Sequence, residues 1–258
     1  MSAQILPVTS RDNPALVRLR KLAADPGGYR KTGSVWIEGD HLLRAARQRG
    51  WPLGLVVATE AAMQDDMLRT LAESAARVLV VPSALFKTLS GLESPAQIGA
   101  ELTLPATPQI DAGAATVVLD RLQDAGNVGA ILRSAAAFGV RQVLALKGTA
   151  ALWSPKVVRA GQGAHFGLCL IEGLAVADLA ALSVPLVATS SHQSEPLHRV
   201  ALPSPCACVM GHEGQGVSDE LMARCALRVG IPQPGGEESL NVAAAAAICL
   251  YESERRKG

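Results

Sequence analysis

Apolar positions along this chain fall into two alternating patterns. Over residues 13–24 and 40–49 they recur every three or four positions, the spacing of one buried helical face. Short β-branched runs at 55–58 and 78–81 read instead as strands. The stretch 104–113, LPATPQIDAG, carries two prolines and a glycine with little apolar periodicity, the composition of a linker. It divides the chain into an expected N-terminal α/β domain over 1–105 and a second domain over 113–258. In the second, strands are expected at 116–120, 142–146, 168–171, 185–189, 206–210 and 227–231. Helices are expected at 127–138, 157–163, 218–224 and 242–256. Strands alternating with helices predict a parallel, doubly wound sheet, and unbroken apolar runs such as TVVLD predict strands covered on both faces.

Composition narrows the class. Of 258 residues 49% are hydrophobic and 18% charged, a globular balance, while aromatics at 3% leave the core to Ala, Val and Leu. A formal net charge of +1 means that any nucleic-acid contact must come from a local patch. Residues 1–50 supply a candidate, with nine basic side chains (Arg11, Arg18, Arg20, Lys21, Arg30, Lys31, Arg44, Arg47, Arg49) against four acidic ones. A solvated helix face accounts for the same charges. The five cysteines, Cys169, Cys206, Cys208, Cys225 and Cys249, lack disulfide-framework spacing and a zinc-type second pair, so no metal is expected. That usage suits a reducing compartment. No apolar run approaches the roughly 20 residues of a membrane helix, so a cytoplasmic protein without membrane contact is expected.

Three segments carry candidate chemistry. In LDRLQDAGNVGAILRSA (119–135) a strand gives way to a helix, with Asn127 placed as the N-cap and Arg133 nearly two turns in. Gly129, Ala130, Ser134 and Ala137 would let another backbone approach. In CVMGHEGQGVSDEL (208–221) a strand runs into Gly211, Gly214 and Gly216 with Glu213 among them, at the sheet edge where α/β proteins bind ligands. The spacing fits neither a dinucleotide fingerprint nor a P-loop. In VGIPQPGGEESLNVAAAAAICLYE (229–252) a strand ends at Ile231 and Ser239-Leu240-Asn241 opens an Ala-rich helix, with Asn241 as N-cap. Capped core helices and a structural Gly-rich turn would explain each segment taken singly.

In this order and spacing the three resemble the signature motifs of the SpoU/TrmH family of SPOUT-class RNA ribose methyltransferases. Asn127, Gly129 and Arg133 match the first motif, Gly211-His212-Glu213-Gly214 the second, and Ile231-Pro232 with Ser239-Leu240-Asn241 the third. Thr9-Ser10-Arg11-Asp12-Asn13 and Trp36-Ile37-Glu38-Gly39 are similar to that family's RNA-binding domain. The resemblance implies a trefoil-knotted parallel sheet behind a small N-terminal α/β RNA-binding domain. It implies a homodimer with S-adenosylmethionine bound against Thr189, Gly211, Ile231 and Leu240, and 2′-O-methylation of RNA, more in keeping with rRNA than tRNA. It implies site roles for Arg133, Asn127, Glu213, Ser239 and Asn241. A 2′-hydroxyl substrate excludes DNA.

The chain departs from the family pattern at three places. Ala125 stands where Pro is usual, Gln233 where Met often follows Ile-Pro, and Gly161 where relatives often have Ser. His165 and His212 flank possible site loops and are expected to be structural. Two other classes compete: a catalytically lapsed RNA-binding or ribosome-assembly protein of the same fold, and an ordinary doubly wound nucleotide-binding enzyme. Intact motif side chains argue against the first, and the missing glycine fingerprint against the second.

Overall fold

The computed structural model describes residues 3–106, 108–190, 194–235 and 239–255. Its contacts divide the chain into two compact units, one of 1–106 with 153–166, the other of 107–152 with 167–258. Residue 107 of the expected linker and residue 256 of the expected last helix lie outside the described residues.

The first unit runs β1 (Gln4–Pro7), α1 (Pro14–Ala24), α2 (Tyr29–Thr32), β2 (Ser34–Glu38), α3 (Asp40–Gln48), β3 (Leu55–Thr59), α4 (Asp66–Glu73), β4 (Arg77–Val81), α5 (Ser83–Phe86) and β5 (Ile98–Thr103). Helix α1 starts where Asn13 accepts the Ala15 N–H at 3.0 Å, and its apolar stripe buries Leu16, Leu19 and Leu22. The stripe packs with Trp36, Val57, Leu79 and Phe86 in one core, each large side chain contributing roughly 1.5–3 kcal/mol of burial. The five strands lie in the order β1-β4-β3-β5-β2, and β5 runs antiparallel to both neighbours.

Three elements of this unit, β1, β2 and β5, extend beyond the expected strands. Strand β1 is mostly exposed and shows no apolar run, and β5 is interrupted by Gly99 and Glu101. The aromatic ring of Trp36 lies over Gly99, where a Cβ would meet Trp36 at 2.3 Å. Glu101 pairs with Arg18 from α1.

The second unit begins with β6 (Thr116–Leu119), α6 (Ala125–Ala137) and β7 (Gln142–Leu146). Next along the chain is α7 (Pro155–Gly161), which belongs to the first unit. There follow β8 (Cys169–Leu174), β9 (Leu186–Thr189), β10 (Glu195–Pro196), β11 (Ala207–Met210), α8 (Asp219–Met222), β12 (Leu227–Gly230) and α9 (Val242–Arg255). Seven strands form one sheet, β10-β12-β9-β11-β6-β7-β8, and every pairing is parallel. Strands β6, β7 and β11 are buried at every position, as strands covered on both faces must be. Helix α9 packs on α6, and Phe138 meets Tyr251 edge to face at 6.0 Å. The small residues of both helices are thus used in packing within the chain. No described helix is long and apolar enough to cross a membrane.

Candidate active site

Strand β11 lies beside β6 although the chain passes through four other strands between them. From β6 the chain steps one way to β7 and β8, and the later strands fill the other side. Loops leaving the carboxyl ends of β6 and β11 therefore start side by side and bond to each other, at the edge where open parallel sheets gather ligands.

The first loop is tightly fixed. Asp120 is 1% exposed; its carboxylate accepts the Ser218 N–H at 2.6 Å and the Arg121 Nε–H at 3.0 Å. Arg121 adopts φ +61°, a conformation that costs a non-glycine residue about 1–3 kcal/mol. Thr149 Oγ1 accepts its N–H at 3.1 Å, and its guanidinium donates to Gln215 at 3.0 Å.

The N-cap of α6 then lies three residues earlier than expected. Its N-cap is Asp124, whose carboxylate accepts the Asn127 N–H at 2.7 Å, so Asn127 is not the cap but lies in the first turn. The apolar face begins only at Val128, which hides the polar first turn in the sequence. Ala125 takes the first helical position, where Pro is favoured because its missing N–H is not needed. Released from capping, the Asn127 side chain is available to distant partners.

Strand β11 runs into a folded-back loop. A Cβ on Gly211 would lie 2.2 Å from the Gly216 carbonyl carbon and the Val217 nitrogen, so glycine is required there by the chain's own backbone. His212 and Gly216 exchange backbone hydrogen bonds at 2.9 and 2.8 Å. His212 Nδ1 accepts the N–H groups of Gly214 and Gln215 at 3.0 and 3.2 Å. The imidazole thereby braces the loop, a structural role. His165 is fully buried and stacks on Trp153 at 5.0 Å within the first unit, a structural placement too.

The three motifs meet in one hydrogen-bonded chain. Asn241 accepts the N–H groups of Ala243 and Ala244 at 2.9 and 3.2 Å and so caps α9. Its Nδ2 donates to Asn127 Oδ1 at 3.0 Å, and Asn127 Nδ2 donates in turn to Glu213 Oε1 at 3.2 Å. Glu213 also accepts the backbone N–H groups of Asp124 and Gln123 at 3.1 and 3.2 Å. Burial raises the Glu213 pKa, but hydrogen bonds from its own backbone, Asn127, Asp124 and Gln123 outweigh it and hold it below the ordinary carboxylate value.

Beside this network opens a cavity of about 520 Å³, within the size range of small-molecule sites. Thr189, Gly211, Ile231 and Leu240 all line it, as do Ser239 and Asn241. The Thr189 hydroxyl donates to the Val209 carbonyl at 2.9 Å, leaving mainly backbone and methyl surface for a ligand. Among the described residues no cluster of His, Cys, Asp and Glu could hold a metal ion.

Arg133 stands apart. It is exposed on α6 and does not line the cavity. Six residues beyond Asn127, it points about 120° away from it around the helix. Among the described residues no hydrogen bond or ion pair restrains it. Two residues that organise the site, Asp120 and Asp124, were not singled out in the sequence, and Gln233, inside the cavity, showed there only as a departure from pattern. An acidic residue at a strand's carboxyl end is the signal available for Asp120, and an N-cap residue three before Asn127 the signal for Asp124.

Comparison with known proteins agrees with this geometry. Residues 114–251 match the SpoU rRNA Methylase family, and residues 13–100 match a domain described as MRM3-like substrate binding. The 23S rRNA (guanosine(2553)-2′-O)-methyltransferase RlmP of Bacillus subtilis is 30% identical over 225 residues, spanning 86% of this chain and 88% of its own. The 23S rRNA (guanosine-2′-O-)-methyltransferase RlmB of Bordetella pertussis is 37% identical over 152 residues, 57% of this chain and 62% of its own. A crystal structure of an AdoMet-bound rRNA methyltransferase from Sinorhizobium meliloti superposes with TM-score 0.84 at 27% identity, covering 98% of this chain and 99% of that one. The TrmH/SpoU tRNA modifying enzyme of A. aeolicus, at TM-score 0.50 and 28% identity, covers only 56% of this chain and 76% of its own. With its three motifs joined at the carboxyl edge of a parallel sheet and a family match across more than half its length, the chain belongs to the SpoU rRNA methylase family.

Proposed function

We propose that this protein methylates a ribose 2′-hydroxyl of ribosomal RNA using S-adenosylmethionine. The observation that carries the reading is the Asn241–Asn127–Glu213 chain of hydrogen bonds at the rim of the cavity. It joins side chains from all three motifs, which a lapsed relative would be free to lose.

The cavity suits the cofactor. Gly211 lets its loop fold back along the cavity, and Ile231 and Leu240 offer apolar surface for a base. When bound, S-adenosylmethionine supplies an electrophilic methyl group. Displacement at that methyl would need the chain's own residues to orient the ribose hydroxyl toward it, since such reactions require reacting atoms about 3–3.5 Å apart and aligned. Glu213 is ionised and its oxygens are occupied by donors, so it positions the loop at 120–127 rather than taking a proton. Ser239, exposed at the cavity wall, and the rigidly held Asn127 and Asn241 orient the ribose. Arg133 acts as a cation beside the reacting oxygen or its phosphate, because a guanidinium holds its proton too firmly to serve as a base.

Arg133 reaches a cavity only if a second copy brings it there. A homodimer is supported by its unpaired, exposed position and by Ile248 and Tyr251 of α9, which are 40% and 53% exposed. A trefoil knot in the C-terminal half is supported by the strand order and by the family match. The basic first fifty residues, in a region matching a substrate-binding domain, supply phosphate contacts that position RNA without reading its sequence. On this reading residues 1–105 bind substrate, residues 113–258 carry the chemistry, and the protein works in the cytoplasm. Ribosomal rather than transfer RNA is supported by relatives matched over most of both chains, whose names specify 23S rRNA.

The test is transfer of labelled methyl groups to ribosomal RNA from cells lacking the protein, with the product nucleoside identified by mass. A 2′-O-methyl nucleoside at one position is the expected result. Cofactor binding without transfer to ribosomal RNA or its precursors would favour a binding role in ribosome assembly.

A further inference from the structure

The polar side chains of the cavity are largely committed. Thr189 donates to Val209, His212 braces its own loop, Asn241 caps α9, and Glu213 holds the loop before α6. Gln233 is different. It follows Ile231-Pro232 at the carboxyl end of β12 and lines the cavity, and its Oε1 is buried without a hydrogen-bond donor among the described residues. A desolvated carboxamide oxygen left unpaired is a standing cost to the fold, and on a side chain that lines a ligand cavity that cost is relieved if the amide turns to a donor arriving with the ligand.

We infer that Gln233 reads the adenine of the cofactor, its Oε1 accepting from the exocyclic 6-amino group while its Nε2 donates to the neighbouring ring nitrogen. This rests on the cofactor assignment above. A carboxamide presents one acceptor beside one donor, which matches an adenine edge. The cofactor's α-ammonium is a cation with donors only, and a carboxylate would serve it better. The base also needs apolar faces, and Ile231 and Leu240 line the same cavity. The terminal torsion of Gln is broad, so the amide turns toward the cavity at little cost. A Met at this position would make no such pair. The side-chain contact is therefore a property of this chain, added to recognition by backbone groups.

The experiment is calorimetric binding to the full chain of two compounds, S-adenosylhomocysteine and its analogue with hydrogen in place of the 6-amino group. Wild-type protein should prefer the amino compound. Gln233→Met should cut that preference on the order of tenfold, by weakening the amino compound while leaving the deaminated one nearly unchanged. An unchanged preference, or equal weakening of both compounds, would overturn the inference while leaving the cofactor assignment intact. Failure of the wild-type protein to bind either compound would overturn the cofactor assignment and the inference with it. Thermal melting of the ligand-free variant separates these results from misfolding, since it should melt no lower than wild type. If it melts lower, Gln233→Leu, similar in length and also unable to pair, takes its place in the same comparison.

Discussion

Replacing Asn127 by Asp tests the hydrogen-bonded chain at its centre. The variant keeps an acceptor for Asn241 but turns the donor facing Glu213 into a second carboxylate oxygen. Two unit charges at the present 3.2 Å separation repel by about 1.3 kcal/mol at the dielectric of water and about 5 kcal/mol at an effective dielectric of 20. Both groups are reached by solvent, so screening and small side-chain movements bring the expected penalty to about 1–2 kcal/mol. It should appear in urea denaturation of the second unit near pH 7, shrink as pH falls and one carboxyl protonates, and shrink with added salt. The partner variant Glu213→Gln supplies a donor to the new Asp, while weakening the hold on the backbone of Gln123 and Asp124. The double variant should therefore recover at least 1 kcal/mol relative to the sum of the singles. Additivity within about 0.3–0.5 kcal/mol, or an Asn127→Asp protein as stable as wild type at pH 7, would refute the coupling read from the geometry.

Other expectations concern single positions. Arg133→Ala should abolish methyl transfer while leaving cofactor affinity nearly unchanged, and near-normal turnover would remove Arg133 from the mechanism. Gly211→Ala places its Cβ against the Gly216–Val217 backbone and should destabilise the second unit by about 1–3 kcal/mol, with cofactor affinity falling with it in calorimetry. The contribution of Glu213 has a definite pH sign. Its folded pKa is depressed, so its stabilisation is fully present above the ordinary glutamate value of about 4.3 and lost as pH falls through the lower folded value. The difference in stability between wild type and Glu213→Gln should accordingly stay flat from pH 8 to pH 5 and narrow only below that range.

The central strands and amphipathic helices were legible because burial leaves its period in the sequence, as at 116–119 and along Leu16, Leu19 and Leu22. Strands β1 and β5 were not. One is an exposed edge, and the other carries Gly99 and Glu101 for reasons that lie in Trp36 and Arg18, far away in the chain. The start of α6 was misplaced because Asp124 and Asn127 are both good cap residues, and only the backbone at Asp124, extended at ψ 117°, decides between them. The motifs single out Asn127, Glu213 and Asn241 one by one, but not their mutual arrangement. Asn127 reaches Glu213 across 86 residues and Asn241 across 114, and no local spacing encodes such contacts. Gln233 showed in the sequence only as a departure from pattern; its buried oxygen gives that departure a physical meaning.

The span between Asn127 and Asn241 has a consequence in time. A ribosome adding about 5–20 residues each second needs roughly 6–23 s to make the 114 residues that separate them. Throughout that interval the first turn of α6 exists without the amide that caps α9, and the cavity lacks the wall that Asn241 completes. A chain grown just past residue 166 holds every residue of the first unit and still lacks the finished cavity. Competence arrives in one late step, so a product truncated before Asn241 would lack both the cap of α9 and the closed network.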